Sequence, residues 1–115
     1  YLFAYNIFYR TGATSVGFKL GLVFPASVMV GANVYIPAGT PGQAALVAGP
    51  VTASGEMATA TTNFRTNVTL LATIEGTILP SVSGNLMPIW GAELSTGSTV
   101  MIMPNSGGVI RQINP

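Results

Sequence analysis

Glu56, Glu75 and Glu93 carry the only side-chain carboxylates in the sequence, and no His, Cys or Asp accompanies them. Acid–base chemistry would have to rest on a pair of these glutamates. A two-carboxylate glycosidase site holds its pair about 5–10 Å apart across a cleft. Glu75 and Glu93 stand on strand-like runs joined by a turn at residues 80–85, so register decides whether they approach. Pairing Leu79 with Leu86 sets Glu75 opposite Trp90 and Glu93 opposite Ala72, on different faces. The competing reading makes Glu75 and Glu93 structural ion-pair partners of Arg10, Arg65 or Arg111. A buried carboxylate is costly unless paired, and a guanidinium satisfies it with two parallel bonds. No Asp/Asn/Trp-rich groove accompanies the glutamates, so the structural reading is preferred. No catalytic residue and no enzyme activity are assigned.

The missing residue types exclude whole classes of site. Without His, Cys or Asp there is no Ser-His-Asp or Cys-His triad, no His- or Cys-based zinc site and no EF-hand loop. The glycines match neither phosphate-binding loop pattern. No cofactor and no metal are therefore expected. Asn67-Val68-Thr69 fits the N-glycosylation pattern, but it is short and falls inside an expected strand. Met87, Met101 and Met103, with Trp90, read as fillers of core gaps or interfaces. Tyr1, Tyr5, Tyr9 and Tyr35 have the chemistry of a sugar-stacking platform, yet their strand positions favour packing.

The elements that must position these residues are strands. Residues 1–10 alternate Phe3, Tyr5, Ile7 and Tyr9 with Leu2, Ala4, Asn6 and Phe8, and residues 16–24 place Val16, Phe18, Leu20 and Leu22 on one face. Further strands are expected over 28–36, 45–53 (an edge or bulge, because of Gly49-Pro50), 65–79, 86–94, 99–104 and 109–113. Turns are expected at 11–15, 37–43, 80–85, 95–98 and 105–108, and 52–63 suits a loop or an exposed strand. About eight short strands at this spacing predict a single all-β domain over 1–115, an antiparallel sandwich or barrel. No segment keeps a helical period. In the run LLATIEGTIL (70–79), Leu70, Ala72, Ile74, Gly76 and Ile78 share one face, and Leu71, Thr73, Glu75, Thr77 and Leu79 the other.

Several of these strands are apolar on both faces, and a two-layer domain alone in water needs only one. Charged residues make up 6% of the chain, against about 25% in an ordinary soluble domain. The second apolar face therefore predicts subunits packed side by side around an axis, with Gly17, Gly21, Ala72, Gly76 and Gly91 easing close approach. Phe8, Leu71, Leu79, Ile89 and Trp90 are the candidate interface residues. Gly, Pro, Thr and Ser interrupt every apolar stretch before it reaches the ~20 residues of a spanning helix, so no membrane insertion is expected. The four basic residues are scattered, leaving no footprint for nucleic acid. The sequence opens in a strand-like run without an initiator Met, as expected of the ordered part of a longer chain.

Three stretches carry a resemblance: FYRTGATSVGFKLGLVFPA (8–26), LLATIEGTILPSVSGNL (70–86) and WGAELSTGSTVMIMPNSGGVIRQI (90–113). Together they resemble a domain of tailed-bacteriophage and prophage virion proteins of fibre, minor structural or capsid decoration type. The resemblance implies a compact jelly-roll-like β-sandwich, a trimer, location in the virion, other virion proteins as partners, and no catalytic residues. Ile89 departs from the family's polar or basic residue at that position, leaving an arginine on another strand as the better partner for Glu75. Two further readings are a host-surface or carbohydrate-binding module of a tail fibre, with a cell-surface glycan as partner, and a subunit of an extracellular filament. The loops 37–43, 52–63 and 80–85 contain no Trp or Tyr, which counts against glycan binding.

Overall fold

The computed structural model describes residues 1–40, 43–63, 65–94 and 100–113. The chain is all-β, with strands β1 (Leu2–Thr11), β2 (Phe18–Val23), β3 (Ser27–Thr40), β4 (Gln43–Val51), β5 (Met57–Thr59), β6 (Leu70–Pro80), β7 (Met87–Ala92), β8 (Val100–Ile102) and β9 (Gly107–Arg111). They form two antiparallel sheets. The larger runs β4-β3-β6-β1-β8, with β9 also paired to β1; the smaller is β5-β2-β7.

The period-2 pattern dictates which faces close on the core. Phe3, Ile7 and Tyr9 of β1, Val34 and Ile36 of β3, and Ala72, Ile74 and Ile78 of β6 are buried, and they meet the fully buried Phe18, Leu20 and Leu22 of β2. The rings of Tyr9 and Phe18 stack at 4.1 Å between centroids and 12° between planes, joining the two sheets at their centre. The Tyr9 hydroxyl donates to the Pro37 carbonyl of β3 at 3.1 Å. Burial pushes the Tyr9 phenol pKa well above its ordinary value, because the phenolate would lose its hydration there. Below the core, Asn63 is wholly buried, and its Nδ2 donates to Thr11 Oγ1 and, at 2.5 Å, to the Arg65 carbonyl.

Four expectations are corrected. First, residues 70–80 and 87–92 do not form a hairpin. β6 lies between β3 and β1, whereas β7 pairs with β2 in the other sheet. Residues 81–86 cross over the end of the core, where Ser81 N donates to the Ala26 carbonyl at 2.9 Å and the Tyr5 hydroxyl donates to the Leu86 carbonyl at 3.1 Å. Second, residues 105–108 do not reverse the chain. β8 and β9 run in the same direction along β1, and the two-residue stretch Ile7–Phe8 faces the four residues 103–106. This is a bulge in one edge strand, with Asn105 at φ 71°. The Ser106 hydroxyl fills the gap, accepting from Phe8 N at 2.9 Å and donating to the Met103 carbonyl at 2.9 Å.

Third, the 65–79 strand begins only at Leu70, so Asn67-Val68-Thr69 lies in an exposed segment with Asn67 at φ 54°. Fourth, the third strand passes through Pro37 to Thr40. Pro37 falls beyond the last β3–β6 pair, Tyr35 with Thr73, where its missing N–H leaves no ladder bond unmade. The Gly49-Pro50 break does mark an edge, since β4 is the outer strand of the large sheet. Residues 57–59 of the polar 52–63 stretch form the short strand β5, and the expected turn at 95–98 lies outside the described residues.

Candidate functional site

The three glutamates are not brought together. Glu75 points outward from the large sheet, level with Ala4 of β1 and Asn33 of β3, and is exposed. Glu93 follows β7 in the small sheet and is half-buried, with its amide donating to the Gly17 carbonyl at 2.9 Å. The core separates the two sheets, so a glycosidase-type pair across a cleft is not assembled from Glu75 and Glu93. Glu56 belongs to the turn between β4 and β5. Its carboxylate accepts from Thr52 N at 2.7 Å, Ala53 N at 3.0 Å and Thr52 Oγ1 at 3.2 Å. These bonds to the charged form, the Thr52 amide first, lower its pKa. Its contribution to stability is therefore present above the ordinary glutamate range and lost as pH falls through the lowered folded value. In denaturant titrations across the acid range, Glu56→Gln should be less stable than the native chain near neutrality, and the gap should narrow as pH falls; a pH-independent gap would contradict the turn-capping role.

The sugar-stacking platform is not built either. Tyr9 is wholly buried in the core, Tyr5 is half-buried with its hydroxyl held by Leu86, and Tyr35 sits half-buried on β3. Gly17, Gly21 and Gly76 serve close approach inside the chain. A Cβ on Gly17 would meet the Ala60 carbonyl, one on Gly21 the Glu56 carbonyl, and one on Gly76 the Gly31 carbonyl.

What the strands do assemble is a broad outer face on the large sheet. Direct registers put Leu46 and Ala48 of β4, Met29 and Tyr35 of β3, Leu71 and Leu79 of β6, Leu2 and Phe8 of β1, Met101 of β8 and Val109 of β9 on it. The exposure of its large apolar members is high: Val109 70%, Leu46 62%, Met29 60% and Leu79 51%. Of the candidate interface residues, Phe8, Leu71 and Leu79 share this face, with Phe8 directly opposite Leu71. Ile89 lies opposite Gly21 in the small sheet, away from it. Trp90 pairs with Leu20 on the core side of β7, but at an open edge where 47% of it stays exposed and its ring stands 6.5 Å from that of Phe18.

Charge on this face is confined to Arg10, Glu75 and Arg111. Arg10 Nε donates to Thr69 Oγ1 at 2.9 Å. Glu75 and Arg111 line one shallow depression of about 590 Å³, with Leu2, Ala4, Thr77 and Val109 between and around them. Among the described residues, neither makes an ion pair or a side-chain hydrogen bond within the chain, and Glu93 makes none. Exposure removes the penalty that made a partner for Glu75 necessary inside the monomer. Arg65, also exposed, follows the buried Asn63 and is held by a contact of its own. A second depression, about 620 Å³, lies at the crossover end between Tyr1, Pro25, Leu86 and Ile110.

Met29, Leu46 and Val109 are absent from the expected interface residues, and Met101 is expected there only as a filler of core gaps or interfaces. Their signal was present, since each alternates with a core-facing neighbour, but only the strand order places them on one surface. Among the described residues no group of three or more His, Cys, Asp or Glu could hold a metal, and no helix is long and apolar enough to cross a membrane. No protein-family model, curated protein or solved structure matches the chain.

Proposed function

We propose that the protein is a non-enzymatic structural module that works by assembling with copies of itself through the outer face of its large sheet. The observation that carries this reading is the uncovered apolar face spanning β4, β3, β6, β1 and the β8–β9 edge. Contiguous apolar surface of this extent marks interaction sites in water-exposed proteins. In this reading the two sheets form a jelly-roll-like β-sandwich, three copies associate, and the assembly serves a tailed-phage particle as a capsid decoration, cement or fibre domain. The virion setting is supported by the resemblance of residues 8–26, 70–86 and 90–113 to phage structural domains. Light scattering over a wide concentration range tests the assembly step. The expected mass is that of a trimer of the 11.8 kDa chain, and a monomer at every concentration would overturn it.

A further inference from the structure

Resting on that assembly reading, we infer that the surface on the large sheet receives a second copy of this chain, with Glu75 of one copy seated against Arg111 of the other. Three observations choose this occupant. The first is size. Five strand positions at about 4.8 Å spacing, each about ten residues long at about 3.4 Å, give a footprint on the order of 800 Å². That is close to the ~800 Å² each partner contributes to a stable interface.

The second is composition: the face is apolar at Leu2, Met29, Leu46, Leu71, Leu79 and Val109, all exposed. An apolar surface that is covered must also neutralise the charges it covers, since an unmatched carboxylate or guanidinium taken out of water is strongly unfavourable. The third is the arrangement of those charges. Glu75 sits level with Ala4 and Val109, and Arg111 sits one outward-facing step along, level with Leu2 and Thr77. Strand β1 separates them, so their backbones stand about 10 Å apart across the sheet. Both side chains border the same depression and lack partners among the described residues. A surface that holds one negative and one positive group at a fixed spacing can meet its own counterpart around a closed axis, three-fold in the assembly proposed above, with Glu75 of each copy facing Arg111 of the next. Arg10 lies beyond the last β1–β6 pair, Tyr9 with Leu70, at the rim of the face, where its charge stays in water and its Nε donates to Thr69.

The test is a charge swap read by self-association. E75R and R111E, each alone, place like charges against one another and should weaken association by about tenfold or more. The double variant E75R/R111E restores opposite charges and should return association to within about threefold of the native value. Both sites are exposed in the single chain, and circular dichroism of each variant should match the native spectrum. Single variants that associate like the native chain would overturn the proposal, as a different protein seated on the face would produce. A double variant as weak as the singles would also overturn it. A native chain that never associates would overturn the assembly reading itself, so the two failures are distinguishable.

Discussion

Tyr9→Ala should lower stability by about 3–5 kcal/mol, the range for removing a large aromatic from a packed interior. Tyr9 is wholly buried and stacks on Phe18, so its loss leaves a void where the two sheets meet. It also leaves the Pro37 carbonyl without the Tyr9 hydroxyl. Against a total stability of about 5–15 kcal/mol, this single change should bring the domain close to unfolding. Tyr9→Phe keeps the ring and deletes only the hydroxyl, and should cost about 0.5–1.5 kcal/mol. The same pair of variants separates packing from ionisation. The raised folded pKa means that the contribution of Tyr9 is fully present below the ordinary tyrosine value of 10.0 and is lost as pH rises above it. Tyr9→Phe should therefore blunt the loss of stability at alkaline pH. Urea titrations of the three proteins at neutral and alkaline pH check all of this, and a Tyr9→Ala cost below that of Tyr9→Phe would contradict the stacked core.

Gly17→Ala should be at least as damaging, although it adds one methyl group. An ideal Cβ on Gly17 would lie 1.6 Å from the Ala60 carbonyl oxygen and 2.9 Å from Thr61 N. Those atoms are backbone and cannot turn aside as a flexible side chain can. The segment after β5 would have to leave β2, breaking the bond from Ala60 N to the Phe18 carbonyl, 3.0 Å in the native chain. Wholly buried Ala60 and Asn63 would move with it. The expected cost is about 4 kcal/mol or more, in the tail reserved for backbone strain and broken core packing. Gly31→Ala is the control. Nothing lies within 4 Å of its Cβ position, so the change should stay within about 0.5 kcal/mol. Thermal unfolding of both variants compares them, and equal stabilities would contradict the close approach of Gly17 to the Ala60 carbonyl.

Local alternation was sufficient to read the faces of individual strands. Phe3, Ile7 and Tyr9 point inward from β1 as the pattern requires, and Glu75 points outward from β6 beside Leu71 and Leu79. Strand order was not legible in the same way, because pairing partners are chosen by contacts far apart in sequence. Residues 80–85 have turn chemistry, yet they carry the chain from one sheet to the other because β6 has already paired on both sides, with β1 and β3. The bulge at residues 103–106 reads as a reversal for a related reason. Asn105 and the glycines permit either geometry, and the Ser106 contact with Phe8 selects the bulge. The site was half legible. That a second apolar face exists follows from Leu2, Phe8, Leu71 and Leu79, whereas joining them to Leu46, Met29 and Val109 requires the order β4-β3-β6-β1-β9. The close approaches at Gly17, Gly21 and Gly76 are not legible in the sequence, because a small residue invites close approach without saying which backbone approaches.

Methionine oxidation provides the most direct measurement of whether the large sheet's outer face is the one that assembly covers. Met29 and Met101 lie on that face at 60% and 47% exposure, and Met87 lies on the outer side of the small sheet at 48%. In a single chain the three should oxidise at comparable rates. In the assembled protein, Met29 and Met101 should be protected severalfold relative to Met87, with protection lost on dilution to monomer. Equal oxidation of all three in the assembled state, or protection of Met87 alone, would contradict assembly through this face.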